Sequence, residues 1–169
     1  MSNNGFKVMD SDMHTHEPWD LWLNYIEPKY KDRAPVGINK DPVDMNTSIE
    51  GDVLGAFLAN QKLLAHEEEK ARLNISHERS NKYMQDGIDR RFDPVSQINA
   101  MGVEGIDVAN LYPSRGMVVA GVDYEDTDFG AAVARAYNNW LADFCSEDPS
   151  RMKGVAMILV SNVQDAVAE

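Results

Sequence analysis

The chain has 169 residues, with 28 acidic against 16 basic side chains and a net charge of −12, which leaves room for one domain with a real core. This acidic balance disfavours nucleic acid or an anionic membrane as a partner. A single cysteine, Cys145, excludes an internal disulfide, and with no apolar leader and no run near the roughly 18 residues of a membrane span the expected compartment is the cytoplasm.

The richest chemistry comes first. Residues 7–18, KVMDSDMHTHEP, read as a short strand that ends in carboxylates and imidazoles on alternate positions. Successive side chains of a strand point to opposite faces, so Asp10, Asp12, His14 and His16 are expected on one face. Neutral imidazole and carboxylate are the usual donors for Zn²⁺, Mn²⁺ or Fe²⁺, and two on one strand can occupy adjacent corners of a coordination sphere. Asp12, His14 and His16 are therefore the candidate metal ligands.

Residues 19–26 carry Trp19, Trp22 and Ile26 at helical spacing, which predicts a short helix that Pro28 ends or bends. Trp19 is a candidate pocket wall, although such aromatics more often cover a barrel mouth. Residues 36–48 hold Gly, Asn, Asp and Pro without apolar period and read as a loop. Residues 41–91 form an expected helical insertion, with an apolar stripe from Val53 to Leu64 followed by the charged run HEEEKAR. His66 and His77 within it are too far apart on a straight helix to share a metal. Residues 82–93 read as a turn or loop.

Asp93 followed by Pro94 predicts an N-cap with proline in the first turn of a helix that Gly102 ends. Residues 105–112, GIDVANLY, predict a strand buried on both faces, as parallel sheets require. Residues 115–126 read as a glycine-containing loop with an apolar centre, with room for a short strand. The clearest helix runs through Phe129, Val133, Tyr137, Trp140, Leu141 and Phe144, with acidic residues at its start and an aromatic stripe meant for core. Cys145 is expected as a buried structural thiol. Residues 153–160, KGVAMILV, predict a third parallel strand, after which Ser161 caps a last helix.

Three stretches together resemble the amidohydrolase-2 group of metal-dependent hydrolases and decarboxylases: KVMDSDMHTHEP with residues 19–35, then FDPVSQINAMGVEGIDVANLY, then residues 137–168. The resemblance implies an α/β fold, the first three or so strand-helix units of a (β/α)₈ TIM barrel, and a divalent metal held by two ligands at i and i+2 on the first strand. Two registers fit, Asp12 with His14 or His14 with His16; the first is preferred because Asp10 then matches the acid preceding the pair. Arg33 resembles a family position that holds a substrate carboxylate, and a surface ion pair is its alternative. Tyr112 lies at the strand end where barrel enzymes do their chemistry.

The implied function is hydrolysis or non-oxidative decarboxylation of a small carbonyl or carboxylate substrate, in a homo-oligomer. A whole barrel takes about 250 residues, so the chain reads as the N-terminal portion of one, cut within an uncapped helix. The alternative is a truncated, non-catalytic fragment that acts by associating with a partner.

Overall fold

The computed structural model describes residues 5–38, 40, 46–54, 84–160 and 163–169. Two sheets organise it. The first is parallel, in the order β1-β5-β6: β1 (Met9–His14), β5 (Val108–Tyr112) and β6 (Met152–Gly154). The second is a small antiparallel sheet of β2 (Val36–Gly37), β3 (Thr47–Ile49) and β4 (Asp52–Leu54). No barrel is closed among the described residues.

Helices join the parallel strands. α1 (Leu21–Tyr25) follows β1 and leads into a 3₁₀ turn (Pro28–Arg33) that begins on the expected Pro28. α2 (Pro94–Glu104) precedes β5, α3 (Arg115–Ala120) follows it, α4 (Thr127–Cys145) leads to β6, and α5 (Val163–Ala168) comes last. The core lies between α1, α4 and the parallel sheet. Trp22, Leu21, Phe129, Val133, Tyr137, Leu111 and Met152 are each at most 1% exposed. The Trp22 indole donates to the Val133 carbonyl at 3.1 Å, so its one polar atom is satisfied inside α4.

The start of α2 is as the sequence predicts. Asp93 accepts from the Ser96 N–H at 2.8 Å and Pro94 occupies the first turn, but the helix runs through Gly102, where its end was expected, and is closed by Gly105 in the left-handed region at φ 74°. Burial opposes ionisation of the Asp93 carboxyl, but the Arg90 guanidinium and the Ser96 N–H outweigh it and hold the pKa below the usual carboxylate value. A depressed carboxyl contributes stability that is present above its unfolded pKa and lost as pH falls through its folded one. Asp93→Ala is expected to cost about 1 kcal/mol at neutral pH. In urea denaturation the gap from wild type should narrow as pH falls below about 4, whereas Asp93→Asn should keep most of the cap; a gap that widens in acid contradicts this account.

Several expected elements are corrected. Residues 36–37, 47–49 and 52–54 form antiparallel strands, not a loop and the start of a helix; residues 41–45 and 55–83 of the expected insertion, with His66 and His77, lie outside the described residues. Residues 84–89 are helical where a turn or loop was expected. Residues 115–120 are helix α3, not a loop or strand. β5 buries one face fully, through Ala109 and Leu111, while Val108, Asn110 and Tyr112 remain half-buried. β6 spans only Met152–Gly154 of the expected 153–160; Val155 N–H still reaches the Leu111 carbonyl at 3.0 Å, and at Met157 the Asn138 amide on α4 takes both backbone groups, its Oδ1 accepting from the N–H at 2.7 Å and its Nδ2 donating to the carbonyl at 2.9 Å. Cys145 is half-buried, and burial raises its thiol pKa.

Candidate functional site

β1 does not alternate strictly. Met9 and Asp10 face Val108 and Ala109, but Met13 and His14 face Leu111 and Tyr112, so β1 spends three steps where β5 spends two. The extra residue is a bulge. Asp10 supports it by accepting the Asp12 N–H at 2.9 Å, a local bond of the kind aspartate makes two residues along the chain. The expected four-residue face is thereby split. Asp10 is half-buried like Met13, whereas Asp12 and His14 are exposed.

Past the bulge the two preferred ligands come together. His14 Nδ1 lies 2.8 Å from the Pro113 carbonyl. A carbonyl only accepts, so Nδ1 carries a proton, and in the neutral ring Nε2 presents its lone pair. Asp12 Oδ1 stands 3.8 Å from that Nε2. Two electron-pair donors facing each other across such a gap suit a cation between them, and a backbone carbonyl on the far nitrogen is the usual way a ligating histidine is oriented. The fit is partial: among the described residues no cluster of three or more His, Cys, Asp or Glu side chains forms.

His16 goes elsewhere. Its ring stacks on Phe92 with centroids 4.3 Å apart, its buried Nδ1 has no hydrogen-bond partner, and burial, then Arg115 and His14, lower its pKa. Tyr112 lies beside His14, ring centroids 6.1 Å apart. Trp19 lines a cavity of about 360 Å³ together with His16, Glu17, Asp20, Lys40 and Arg91. Arg33 is remote from that cavity's walls; it donates to Glu50 and Asp126, both at 2.6 Å, over the Phe129 ring.

Sequence reasoning missed Glu17 and Arg115. The Glu17 side chain is 1% exposed and accepts three backbone N–H groups at the start of α3: Oε1 from Ser114 at 2.9 Å and Gly116 at 3.0 Å, Oε2 from Arg115 at 2.8 Å. Burial raises its pKa and the N–H donors only partly offset this. Gly116 is required there, because a Cβ would sit 3.1 Å from Glu17 Oε1 and 2.9 Å from Pro113 Cβ. Arg115 is fully buried and bridges to the second sheet, donating to Thr47 Oγ1 at 2.9 Å and the Asn46 carbonyl at 3.0 Å. The available signal was the Ser-Arg-Gly run directly after a strand.

A parallel sheet with its polar donors at the strand C-terminal ends is the layout of α/β-barrel enzymes, and the comparisons agree at the level of fold. No protein-family model and no curated protein matches the sequence. Among solved structures, the chain is similar to the crystal structure of an amidohydrolase from Mycobacterium avium subsp. paratuberculosis K-10, with a TM-score of 0.59 and 16% identity. The match covers 97% of this chain and 46% of that one, so this chain spans about half of its neighbour's length. The likeness is one of fold. Among the described residues no helix is long and apolar enough to cross a membrane.

Proposed function

We propose that this chain carries the first-strand part of a metal-dependent site of amidohydrolase type. Its substrate is a small carbonyl or carboxylate compound, which the site hydrolyses or non-oxidatively decarboxylates. One observation carries the reading: His14 Nε2, oriented by the Pro113 carbonyl, faces Asp12 Oδ1 across 3.8 Å at the C-terminal end of a parallel strand. Asp12 and His14 would hold a divalent ion there, and its chemistry would be to polarise a carbonyl or to lower the pKa of a bound water. Asp12 as a partner adds a hard oxygen donor and favours Mn²⁺ or Fe²⁺ modestly over Zn²⁺. The chain's own part is to hold the two donors in place and to offer Tyr112 and Trp19 as neighbouring walls.

Two protein ligands make a weak site, since catalytic zinc ordinarily takes three. The test is calorimetric titration with Mn²⁺ and Zn²⁺. Saturable binding that His14→Ala removes supports the reading; the same affinity in wild type and variant overturns it.

A second reading, association with a partner, has its own observation. Among the described residues β1 and β6 are the outer strands of the parallel sheet, and Val160, Val163 and Val167, later in the chain than β6, are 83%, 71% and 82% exposed. Apolar surface of this kind next to a sheet edge invites pairing with another chain. Size-exclusion chromatography across concentration reads it directly.

A further inference from the structure

The cavity beside the ligand pair is not neutral. Lys40 and Arg91 stand on its wall with Trp19, and Lys40 Nζ lies 4.9 Å over the indole ring. Among the described residues the side chains of Arg33, Arg90, Arg115, Arg135 and Arg151 each donate to an oxygen of the protein, whereas the Arg91 guanidinium donates to none. In a chain of net charge −12, two cations left facing one hollow are a specific arrangement. Arg91 and Phe92 are held at φ 55° and 52°, where the backbone bonds Arg91 N–H to Ile88 and Phe92 N–H to Gly87 close the preceding helix. That turn puts the Phe92 ring on His16 and the Arg91 side chain on the cavity wall.

We propose that Lys40 and Arg91 form an anion subsite for a small carboxylate, with Trp19 as its apolar wall. A guanidinium fork pairs in plane with a carboxylate or a phosphate, and an ammonium adds a point charge. The charge count chooses between the two. Asp20 lines the same cavity, and the charge of the buried Glu17 carboxyl is set against that of the buried Arg115 beside it, so among the described lining residues two cations against Asp20 leave about one positive charge. A monoanion balances that charge; a dianionic phosphate does not. The volume of about 360 Å³ sits at the small end of ligand cavities. This subsite deepens the proposed function by naming a group that the substrate carries, and it binds that group without the metal.

The experiment is a tryptophan-fluorescence titration of the full chain in EDTA with benzoate, its neutral analogue benzamide, and phenyl phosphate. Trp22 and Trp140 are buried, so Trp19 carries the response, and Trp19→Phe should abolish it. Benzoate is expected to bind saturably and at least about tenfold more tightly than benzamide, and Arg91→Gln and Lys40→Gln should each cost about tenfold. Both side chains are at the surface, and unchanged urea midpoints would show that the variants fold. Equal binding of benzoate and benzamide, or full benzoate affinity in both variants, overturns the subsite; tighter binding of phenyl phosphate overturns its assignment to carboxylate. Because no metal is present, failure here leaves the His14 titration unaffected, and failure there leaves this one standing.

Discussion

Replacing Glu17 by alanine is expected to destabilise the chain by about 3 kcal/mol, the cost of stranding buried hydrogen-bond donors beside a buried cation. The carboxyl takes the N–H groups of Ser114, Arg115 and Gly116, and its own backbone carbonyl lies 3.5 Å from Arg115 Nε. Alanine leaves three donors without acceptors and opens a space next to an arginine that is fully buried. With a urea slope of about 2 kcal/mol per molar, the midpoint should fall by about 1.5 M. Glu17→Gln keeps one acceptor oxygen, enough for two of the donors, and should lose about half as much. A midpoint shift under about 0.5 M for the alanine variant would show that α3 does not depend on this carboxyl.

His14→Ala is expected to weaken Mn²⁺ binding by about 100-fold, or about 2.7 kcal/mol, because it removes an imidazole that, alone among the described residues, has both a backbone carbonyl on one ring nitrogen and a carboxylate in front of the other. Asp12→Ala should cost less, about tenfold, since its side chain is 83% exposed and is not held in place by a second contact. His16→Gln decides between the two registers. If Asp12 and His14 form the pair, this variant keeps its affinity, because the His16 ring is stacked on Phe92. A loss at His16 equal to that at His14, with none at Asp12, would make the two histidines the pair instead.

The sequence was readable where cause and effect are close together along it. α4 followed from its aromatic period, α2 from Asp93 and Pro94, and β5 from its apolar run. The nearness of His14 to Asp12 was also legible, because both lie within one strand. What could not be read depends on distant residues. Residues 115–120 become a helix because Glu17, 98 positions before Arg115, accepts its first N–H groups. The bulge in β1 is visible only against the register of β5, and the strict alternation expected of Asp10, Asp12, His14 and His16 failed for that reason. The cavity brings Arg91 to Trp19 from the far side of a long stretch of chain, so no spacing rule announces it.

The contacts that shape the site share a separation in sequence: His14 to Pro113 spans 99 residues, Thr15 to Tyr112 spans 97, and Glu17 to Gly116 spans 99. Closing a loop of that size costs roughly 4 kcal/mol of chain entropy before any contact is made. The pairing of β1 with β5 is therefore expected late in folding, as non-local parallel pairings are. His14 acquires its oriented ring only at that step, since Pro113 must arrive first. A peptide of residues 7–18 alone contains both side chains and lacks the carbonyl that aims one of them, so it is expected to hold the His14 ring in no fixed orientation.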